Sequence, residues 1–383
     1  MNIYLIVRGI PSKNDPQWGC FEYDQAKALV AEGHHVVMLS VDERWKSRWR
    51  KPGIRVIREA GVTSYDLYSG PWVLLSVLNL WIYESVSSWL MLKLFKNVVK
   101  KEGIPDVIYA HYLDSFEYAI NIKRQYKIPV VGLEHWSEMG KAYPSAQALR
   151  KAAKVYPQLD KLLVVSHALR DNVHKYVGVN SDVLPNVIGE EFRYLGDRSD
   201  NEKVKFVSTG NLLHCKRMDL IIKSLSSDRG MADKCSVTIV GDGVDHRMLQ
   251  DLIVEHHLEE TVRLVGRKTR KEIVKILNES DVYIMASDSE TFGVAAAEAL
   301  ACGMPVIATD CGGPRDFVTQ DNGMMIPTND EHKLAEAILY MIEHHKDYSK
   351  KAIAEDFHNR FSAGAVANQL TDIFNTVIKK NKA

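Results

Sequence analysis

Two glutamates, Glu290 and Glu298, lie eight positions apart around a glycine and a run of alanines. The apolar runs on either side predict two strands, and the segment between them predicts a helix that Gly303 ends. Glu298 would lie one to two turns into this helix, where its carboxylate can accept two hydrogen bonds from a vicinal diol such as a ribose. An alanine-rich helix between strands is also ordinary packing, so this pattern alone leaves a structural role for Glu298 open.

The first turn of this helix is a predicted phosphate site. The amides of Phe292, Gly293 and Val294 would have no partner inside the helix, so they and the helix dipole favour an anion. Gly293 has no side chain that would hold a phosphate away from the backbone. Together with Glu290 on the preceding loop, the segment suits a nucleotide diphosphate that carries a polar group.

A second polar loop follows the predicted strand at residues 204–210. Gly210 and Asn211 stand at the strand end, and Lys216 and Arg217 come just before an apolar helix. Ligands of open α/β sheets bind beyond the carboxyl ends of the strands, where two cations would neutralise a pyrophosphate. A solvated basic loop is the alternative, which we prefer for Arg217 but not for Lys216.

Short runs rich in valine and isoleucine alternate with helical patterns, which predicts β-α units that feed parallel sheets. The runs are residues 3–7, 35–40, 54–57, 106–112, 129–135 and 162–166 in the first half, and 204–210, 236–243, 262–266, 281–287 and 305–310 in the second. A chain of 383 residues is too long for one compact core, so two domains are expected.

The alternation of strand and helix patterns stops in residues 184–203, which are rich in proline, glycine and charged residues. We therefore place an N-terminal domain over residues 1–186 and a C-terminal domain over residues 187–360. Residues 361–383 predict an amphipathic helix, which we expect to pack back on the N-terminal domain.

Charge and cysteine usage exclude several classes of protein. The formal net charge is zero, with +5 over residues 1–190 and −5 over the rest, which is too small an asymmetry for a nucleic-acid binder. The five cysteines are odd in number and show no C-x-x-C spacing, which argues against a disulfide framework and a zinc site and indicates a reducing cytoplasm. Polar and charged residues interrupt the most apolar stretch, residues 71–99, so no membrane-spanning helix is expected.

These motifs resemble those of a known family. Residues 290–300, followed by 303–308 and 312–315, are similar to the E-x7-E region of the family 4 glycosyltransferases, which are retaining, nucleotide-sugar-dependent enzymes. Residues 210–222 resemble that family's G-R-L-x-x-x-K loop, and residues 18–39 resemble its glycine-rich N-terminal stretch. The resemblance implies the GT-B fold, in which two Rossmann-like parallel-sheet domains face each other across a cleft.

The resemblance also implies roles by position. Glu290 would bind hydroxyls of the donor sugar, Glu298 the nucleoside ribose and Lys216 the diphosphate. Gly19 would let a loop of the first domain approach the donor, and Arg267 is a candidate near the base. The predicted donor-binding set is Gly19, Gly210, Asn211, Lys216, Arg217, Arg267, Glu290, Phe292, Gly293, Val294 and Glu298.

One histidine completes the predicted site. His135 follows the strand nearest the expected cleft, and the resemblance places it beside the transferred sugar, with His111 as the competing candidate. The predicted catalytic residues are thus Glu290, Lys216 and His135. Asn211 stands where the family often has a diphosphate-binding arginine, which leaves Lys216 as the main cation.

We predict a hexosyl- or N-acetylhexosaminyl-transferase that uses a UDP- or GDP-linked donor and a hydroxyl acceptor. No metal and no cofactor are expected, because the chain has no D-x-D motif and cations with helix amides would stabilise the leaving group. The retaining outcome follows from the resemblance alone. Two alternatives stay open, a nucleotide-sugar 2-epimerase of the same architecture and a catalytically silent sugar-nucleotide-binding protein.

Residues 42–53 combine basic and aromatic side chains of the kind that proteins use on anionic lipid. These are Arg44, Trp45, Lys46, Arg48, Trp49, Arg50 and Lys51. Residues 79–101 predict a helix that either adds to this surface or packs in the core. On the membrane interpretation, the protein is cytoplasmic with a peripheral contact on the inner face of the cell membrane. Its acceptor is then a lipid-linked sugar or an oligosaccharide of bacterial surface polysaccharide synthesis.

Overall fold

The computed structural model describes residues 1–12, 15, 18–44, 49–70, 80–196, 202–227 and 229–382. They divide into two compact units, Met1–Val187 with Ala363–Ala383, and Ile188–Ser362. Each unit is built on its own sheet, in which nearly all neighbouring strands are parallel. The predicted α/β fold with two parallel-sheet domains is therefore confirmed.

The first unit contains one eight-stranded sheet. Its strands are β1 (Asn2–Ile6), β2 (His35–Asp42), β3 (Gly53–Glu59), β4 (Val62–Tyr68), β5 (Val107–His111), β6 (Val130–Glu134), β7 (Lys161–Val164) and β8 (Asp182–Val183). Its helices are α1 (Cys20–Ala31), α2 (Leu80–Glu102), α3 (Tyr112–Tyr126), α4 (Ser137–Gly140), α5 (Ala146–Val155) and α6 (His167–Val177). The strand order is β3-β4-β2-β1-β5-β6-β7-β8, and only the β3–β4 pair is antiparallel among the described strands.

The second unit contains a six-stranded parallel sheet. Its strands are β9 (Val204–Thr209), β10 (Cys235–Val240), β11 (Val262–Leu264), β12 (Val282–Met285), β13 (Val306–Thr309) and β14 (Gly323–Ile326). Its helices are α7 (Met218–Ser226), α8 (Arg229–Lys234), α9 (His246–Glu255), α10 (Arg270–Asn278), α11 (Val294–Ala301), α12 (Glu331–His344) and α13 (Lys350–Phe361). The order β11-β10-β9-β12-β13-β14 makes β9 and β12 neighbours at the centre of the sheet.

Every predicted valine- and isoleucine-rich run overlaps a strand, but β4, β8 and β14 were not predicted. The turn before β4 has positive φ at Ala60 (49°) and Gly61 (76°), as a two-residue hairpin turn requires. Three of the seven residues of β4 are polar, and β14 begins with a glycine and two methionines, so neither shows a strong β pattern.

Helix α2 answers the alternative left open for residues 79–101 over its second half. From Leu90 onward one face of the helix is buried, and Phe95 packs edge-on against Tyr4 of β1 with ring centroids 5.7 Å apart. Lys93 and Lys96 point to solvent. This part of α2 is therefore a core helix. Within the described residues, no helix combines the length and apolarity that crossing a bilayer would need.

The last helix, α14 (Ala363–Lys382), belongs to the first unit. It buries Val366, Leu370 and Phe374 and packs along α1. Oγ1 of Thr371 in this helix lies 2.8 Å from Nε2 of His34, which stands between α1 and β2.

Candidate functional site

The loops that follow β9 and β12 lie side by side, because the two strands are neighbours in the second sheet. Lys216 lies on the first loop and Glu290 on the second. Nζ of Lys216 lies 2.5 Å from Oε1 of Glu290. Two residues that were predicted from separate motifs, 74 positions apart, thus form one ion pair.

Glu290 is held from two further directions. The hydroxyl of Ser287 donates to the same Oε1 over 2.8 Å, and the amide of Glu290 donates to the carbonyl of Cys311 over 2.9 Å. Burial alone would lower the pKa of Lys216, but the carboxylate of Glu290 outweighs it and the pKa is raised. Lys216 is therefore a cation at neutral pH, and its charge is compensated inside the protein.

Helix α11 begins where the sequence predicts it. Its N-cap is Gly293 with φ 93°, and the amides of Ala296 and Ala297 both donate to the Gly293 carbonyl over 3.1 Å. The amides of Phe292, Gly293 and Val294 donate to no other described residue. A side chain at Gly293 would need the left-handed φ and would bring Cβ within 3.0 Å of a proline ring. The start of α11 therefore has three amides, two of them just before the helix, that have no described acceptor and suit an anion.

Glu298 lies within α11, about 6 Å along the helix axis from Val294. It is half-buried, whereas Ala296, Ala297 and Ala299 are fully buried in the unit. The alanine run is thus explained by packing, whereas Glu298 keeps part of its surface exposed.

Arg217 was expected to be a solvated side chain, and this expectation is wrong. It is mostly buried and pairs with Asp219, to which its Nε donates over 3.0 Å, and with Asp288, 3.4 Å from Nη1. Because two carboxylates neutralise this arginine, Lys216 remains the principal cation of the loop. Sequence reasoning did not single out Asp288, although it lies two positions before Glu290.

The other donor-binding candidates of the second unit are spread along the same edge of the sheet. Asn211 is exposed directly after Gly210, and Arg267 is exposed beyond the end of β11, two strands from β9. Gly210 lies tightly against the next loop, since a Cβ on Gly241 would come within 1.7 Å of the Gly210 carbonyl oxygen. Gly210 therefore helps to pack the two loops together.

Gly19 and His135 belong to the first unit. Gly19 is the N-cap of α1 with φ 78°, and a Cβ there would lie 2.1 Å from the carbonyl oxygen of Gly9. Close backbone packing thus already requires a glycine. The ring of His135 stacks on Tyr112 at 3.8 Å and lies 5.5 Å from the ring of His111.

Both histidines are buried at the carboxyl ends of β5 and β6. Burial lowers the pKa of His111 to about 3 and the pKa of His135 well below its usual value, so both rings are neutral near pH 7. A neutral imidazole can donate or accept one hydrogen bond to a sugar hydroxyl but cannot neutralise a phosphate. The preference for His135 over His111 stays a prediction.

Residues 42–53 were expected to form a basic surface. This expectation is wrong for Arg44 and Arg50, whose charges are paired. Arg44 donates to Asp42 over 2.9 Å and to Asp15 over 2.8 Å. Arg50 lies 2.9 Å from Asp42 and 2.8 Å from Asp66. These arginines are held in an ion-pair network and do not present free charge. Trp45, Lys46 and Arg48 lie outside the described residues.

In the described part of the chain, the groups at the candidate site are cations, carboxylates and backbone amides. No three His, Cys, Asp or Glu side chains are grouped there so as to hold a metal ion. The five cysteines carry free thiols. Lys216 and the amides at the start of α11 are groups that could bind an anion at this edge of the second sheet.

Comparison with known proteins supports the motifs. Residues 23–192 match the model of Glycosyltransferase Family 4, and residues 196–355 match the model of Glycosyl transferases group 1. The N-acetyl-alpha-D-glucosaminyl L-malate synthase of Bacillus anthracis is 24% identical over 305 residues, which are 74% of this chain and 78% of that protein.

Two solved structures show the same fold. The sucrose-phosphate synthase of Thermosynechococcus elongatus superposes with a TM-score of 0.81 at 19% identity, over 99% of both chains. HepE of Anabaena, solved in complex with UDP, gives a TM-score of 0.74 at 17% identity, over 98% of this chain and all of that one. With the two family models spanning most of its length, the chain belongs to the group 1, family 4 glycosyltransferases and has the GT-B fold.

Proposed function

We propose that the chain is a retaining, metal-independent hexosyl- or N-acetylhexosaminyl-transferase that moves a sugar from a nucleoside diphosphate donor to a hydroxyl acceptor. The observation that carries this proposal is the ion pair of Lys216 and Glu290 beside the first turn of α11. A cation and unpaired amides suit a diphosphate, and a carboxylate suits sugar hydroxyls. The UDP complex of HepE favours a uridine donor over a guanosine donor.

The ion pair suggests how the two groups act in sequence. In the free protein Lys216 is bound to Glu290. An entering diphosphate would draw the ammonium away from the carboxylate, which leaves Glu290 free to accept hydrogen bonds from the sugar. As the bond between sugar and diphosphate breaks, Lys216 and the α11 amides would stabilise the charge on the leaving oxygen. Front-side attack on an oxocarbenium-like centre, our proposed route, needs no second carboxylate.

A screen of nucleotide sugars with the purified protein tests this function. A ligand at 100 times its dissociation constant adds about 2.7 kcal/mol of stability, which a thermal unfolding scan detects. We expect UDP-linked hexoses or N-acetylhexosamines to stabilise the protein and to be turned over. Stabilisation without turnover toward any hydroxyl acceptor would support the silent-binding alternative, and the absence of both would refute the proposal.

We further propose a lipid-linked or oligosaccharide acceptor and a peripheral membrane contact. With Arg44 and Arg50 paired to aspartates, this contact is carried by Trp49, which is 84% exposed, and the exposed Lys51. Flotation with anionic liposomes should be lost when Trp49→Ala and Lys51→Ser are combined. The matched control combines Tyr143→Ala with Lys141→Ser, another exposed aromatic and cation of the same unit. Equal flotation of both double variants would remove the membrane contact.

A further inference from the structure

Arg8 lies just beyond the carboxyl end of β1, near the centre of the first sheet. Its guanidinium makes no hydrogen bond to any described residue, and its side chain is 39% exposed. A guanidinium carries five N–H donors in a planar fork. An arginine at the ligand-binding edge of a sheet thus keeps all of these donors available, and nothing predicted from the sequence uses it.

The nearest opposite charge is Glu22, in the first turn of α1. Its carboxylate lies 3.8 Å from Nε of Arg8, too far for a hydrogen bond, and it is fully buried. Neither oxygen of Glu22 has a hydrogen-bond partner among the described residues. A purely structural buried pair is expected to share hydrogen bonds, because these repay the desolvation of the charges. Glu22 therefore orients Arg8 by charge and leaves the donor groups of the guanidinium unused.

Two aromatic rings hold the guanidinium in place. Its carbon lies 3.9 Å above the ring of Tyr112 and 4.9 Å from the ring of Trp18. Tyr112 has φ 67°, a left-handed conformation that is strained for a residue with a side chain. In this conformation its ring also stacks on His135, at 3.8 Å. One aromatic ring thus contacts both Arg8 and the histidine predicted to contact the transferred sugar.

We infer that Arg8 binds a phosphate group of one of the enzyme's substrates, with Glu22 and Tyr112 as positioning residues. A planar fork of donors matches the oxygens of a phosphate, and Arg8 is partly exposed whereas Glu22 is sealed from solvent. The phosphate belongs either to the nucleotide donor or to a phosphorylated acceptor. The inference rests on the proposed function, since it assigns a substrate group to that enzyme.

Calorimetry with two probes tests the inference and separates the two sources. UDP is titrated into the wild type, Arg8→Gln and a control, Arg58→Gln, in which the lost arginine is 69% exposed on β3 of the same unit. Inorganic phosphate is then titrated into the same proteins with and without saturating UDP. Losing charge-assisted hydrogen bonds should weaken the affected probe about tenfold or more in Arg8→Gln and leave Arg58→Gln unchanged.

The pattern of losses identifies the substrate. Weaker UDP binding in Arg8→Gln assigns the phosphate to the donor, and weaker inorganic phosphate binding with normal UDP affinity assigns it to the acceptor. Unchanged binding of both probes overturns the inference. If UDP fails to bind the wild type, the proposed uridine donor fails, while the phosphate titration without UDP still tests Arg8.

A second variant separates loss of binding from loss of folding. Arg8→Gln leaves the buried Glu22 without its cation, which is expected to destabilise the unit. The double variant Arg8→Gln with Glu22→Gln removes both charges and should recover thermal stability without recovering binding. Recovery of binding in the double variant would also overturn the inference, because Arg8 would then be needed only to neutralise Glu22.

Discussion

Replacing Glu290 by glutamine should separate donor binding from sugar transfer. In the free protein the ammonium of Lys216 is bound to the Glu290 carboxylate at 2.5 Å, so an entering phosphate has to compete with it. Glutamine has nearly the same shape and keeps an oxygen that can accept from Ser287, but it carries no charge. We therefore expect Glu290→Gln to bind UDP more tightly than the wild type and to transfer sugar much more slowly.

The structure sets the size of the change in affinity. A hydrogen bond to a charged group contributes about 1.5–3 kcal/mol. The side chain of Lys216 is 27% exposed, so solvent screening reduces this to about 1–2 kcal/mol. Since 1.4 kcal/mol corresponds to a factor of ten, UDP affinity should rise about 5- to 30-fold. Loss of a group that acts on the reacting sugar should lower kcat by about 100-fold or more.

The assay combines calorimetric titration of UDP with initial rates of sugar transfer. Glu279→Gln is the matched control, because Glu279 is an exposed glutamate of the same unit that pairs with Lys275 at 3.7 Å. This control should leave both affinity and rate unchanged. Weaker UDP binding in Glu290→Gln would show that Lys216 does not exchange Glu290 for the diphosphate. An undiminished rate would show that Glu290 does not act on the transferred sugar.

Two further predictions follow from the same contacts. Lys216→Ala should weaken UDP binding about tenfold or more by calorimetry, whereas Lys275→Ala, on the exposed face of α10, should not; equal affinities would remove Lys216 from the phosphate site. Burial raises the pKa of Glu134 from 4.5 to about 7, so the native protein binds the extra proton between these pH values and loses stability as pH rises through them. Glu134→Gln should remove about 3 kcal/mol of this pH dependence, measured as unfolding free energies at pH 5 and pH 8; identical pH profiles for wild type and variant would contradict it.

Much of the second unit could be predicted from local patterns. A parallel sheet brings the carboxyl ends of its strands to one edge, so the residues after two neighbouring strands meet whatever their separation in sequence. This rule, with the glycine before α11, places Lys216, Glu290 and the amides at the start of α11 at one edge of the sheet. The specific ion pair needed the structure, because strand order does not tell which side chains touch.

The first unit was less predictable because its arginines pair with an aspartate on a strand that the sequence pattern did not reveal. Asp66 lies on β4, whose polar composition hid the strand, and it binds Arg50 and Arg55 from outside that strand. In the sequence Arg50 looks like part of a basic surface. Likewise the apolar face of α2 is a core face, which a hydrophobic pattern alone cannot distinguish from a lipid-facing one.

Whether a cationic side chain can bind an anionic ligand depends more on its ion-pair and hydrogen-bond partners in the fold than on its neighbours in sequence. Arg44, Arg50 and Arg217 stand in conspicuous basic runs, and aspartates satisfy all three. Arg8 has no basic neighbour in sequence, yet its guanidinium makes no hydrogen bond to a described residue. Lys216 lies between these two cases. It is paired in the free protein, but its partner Glu290 is expected to bind the substrate instead. Runs of basic residues in a sequence therefore overestimate how much positive charge is available for binding. A cation that the fold orients, but that makes no hydrogen bond within the protein, indicates an anion site more strongly than such a run does.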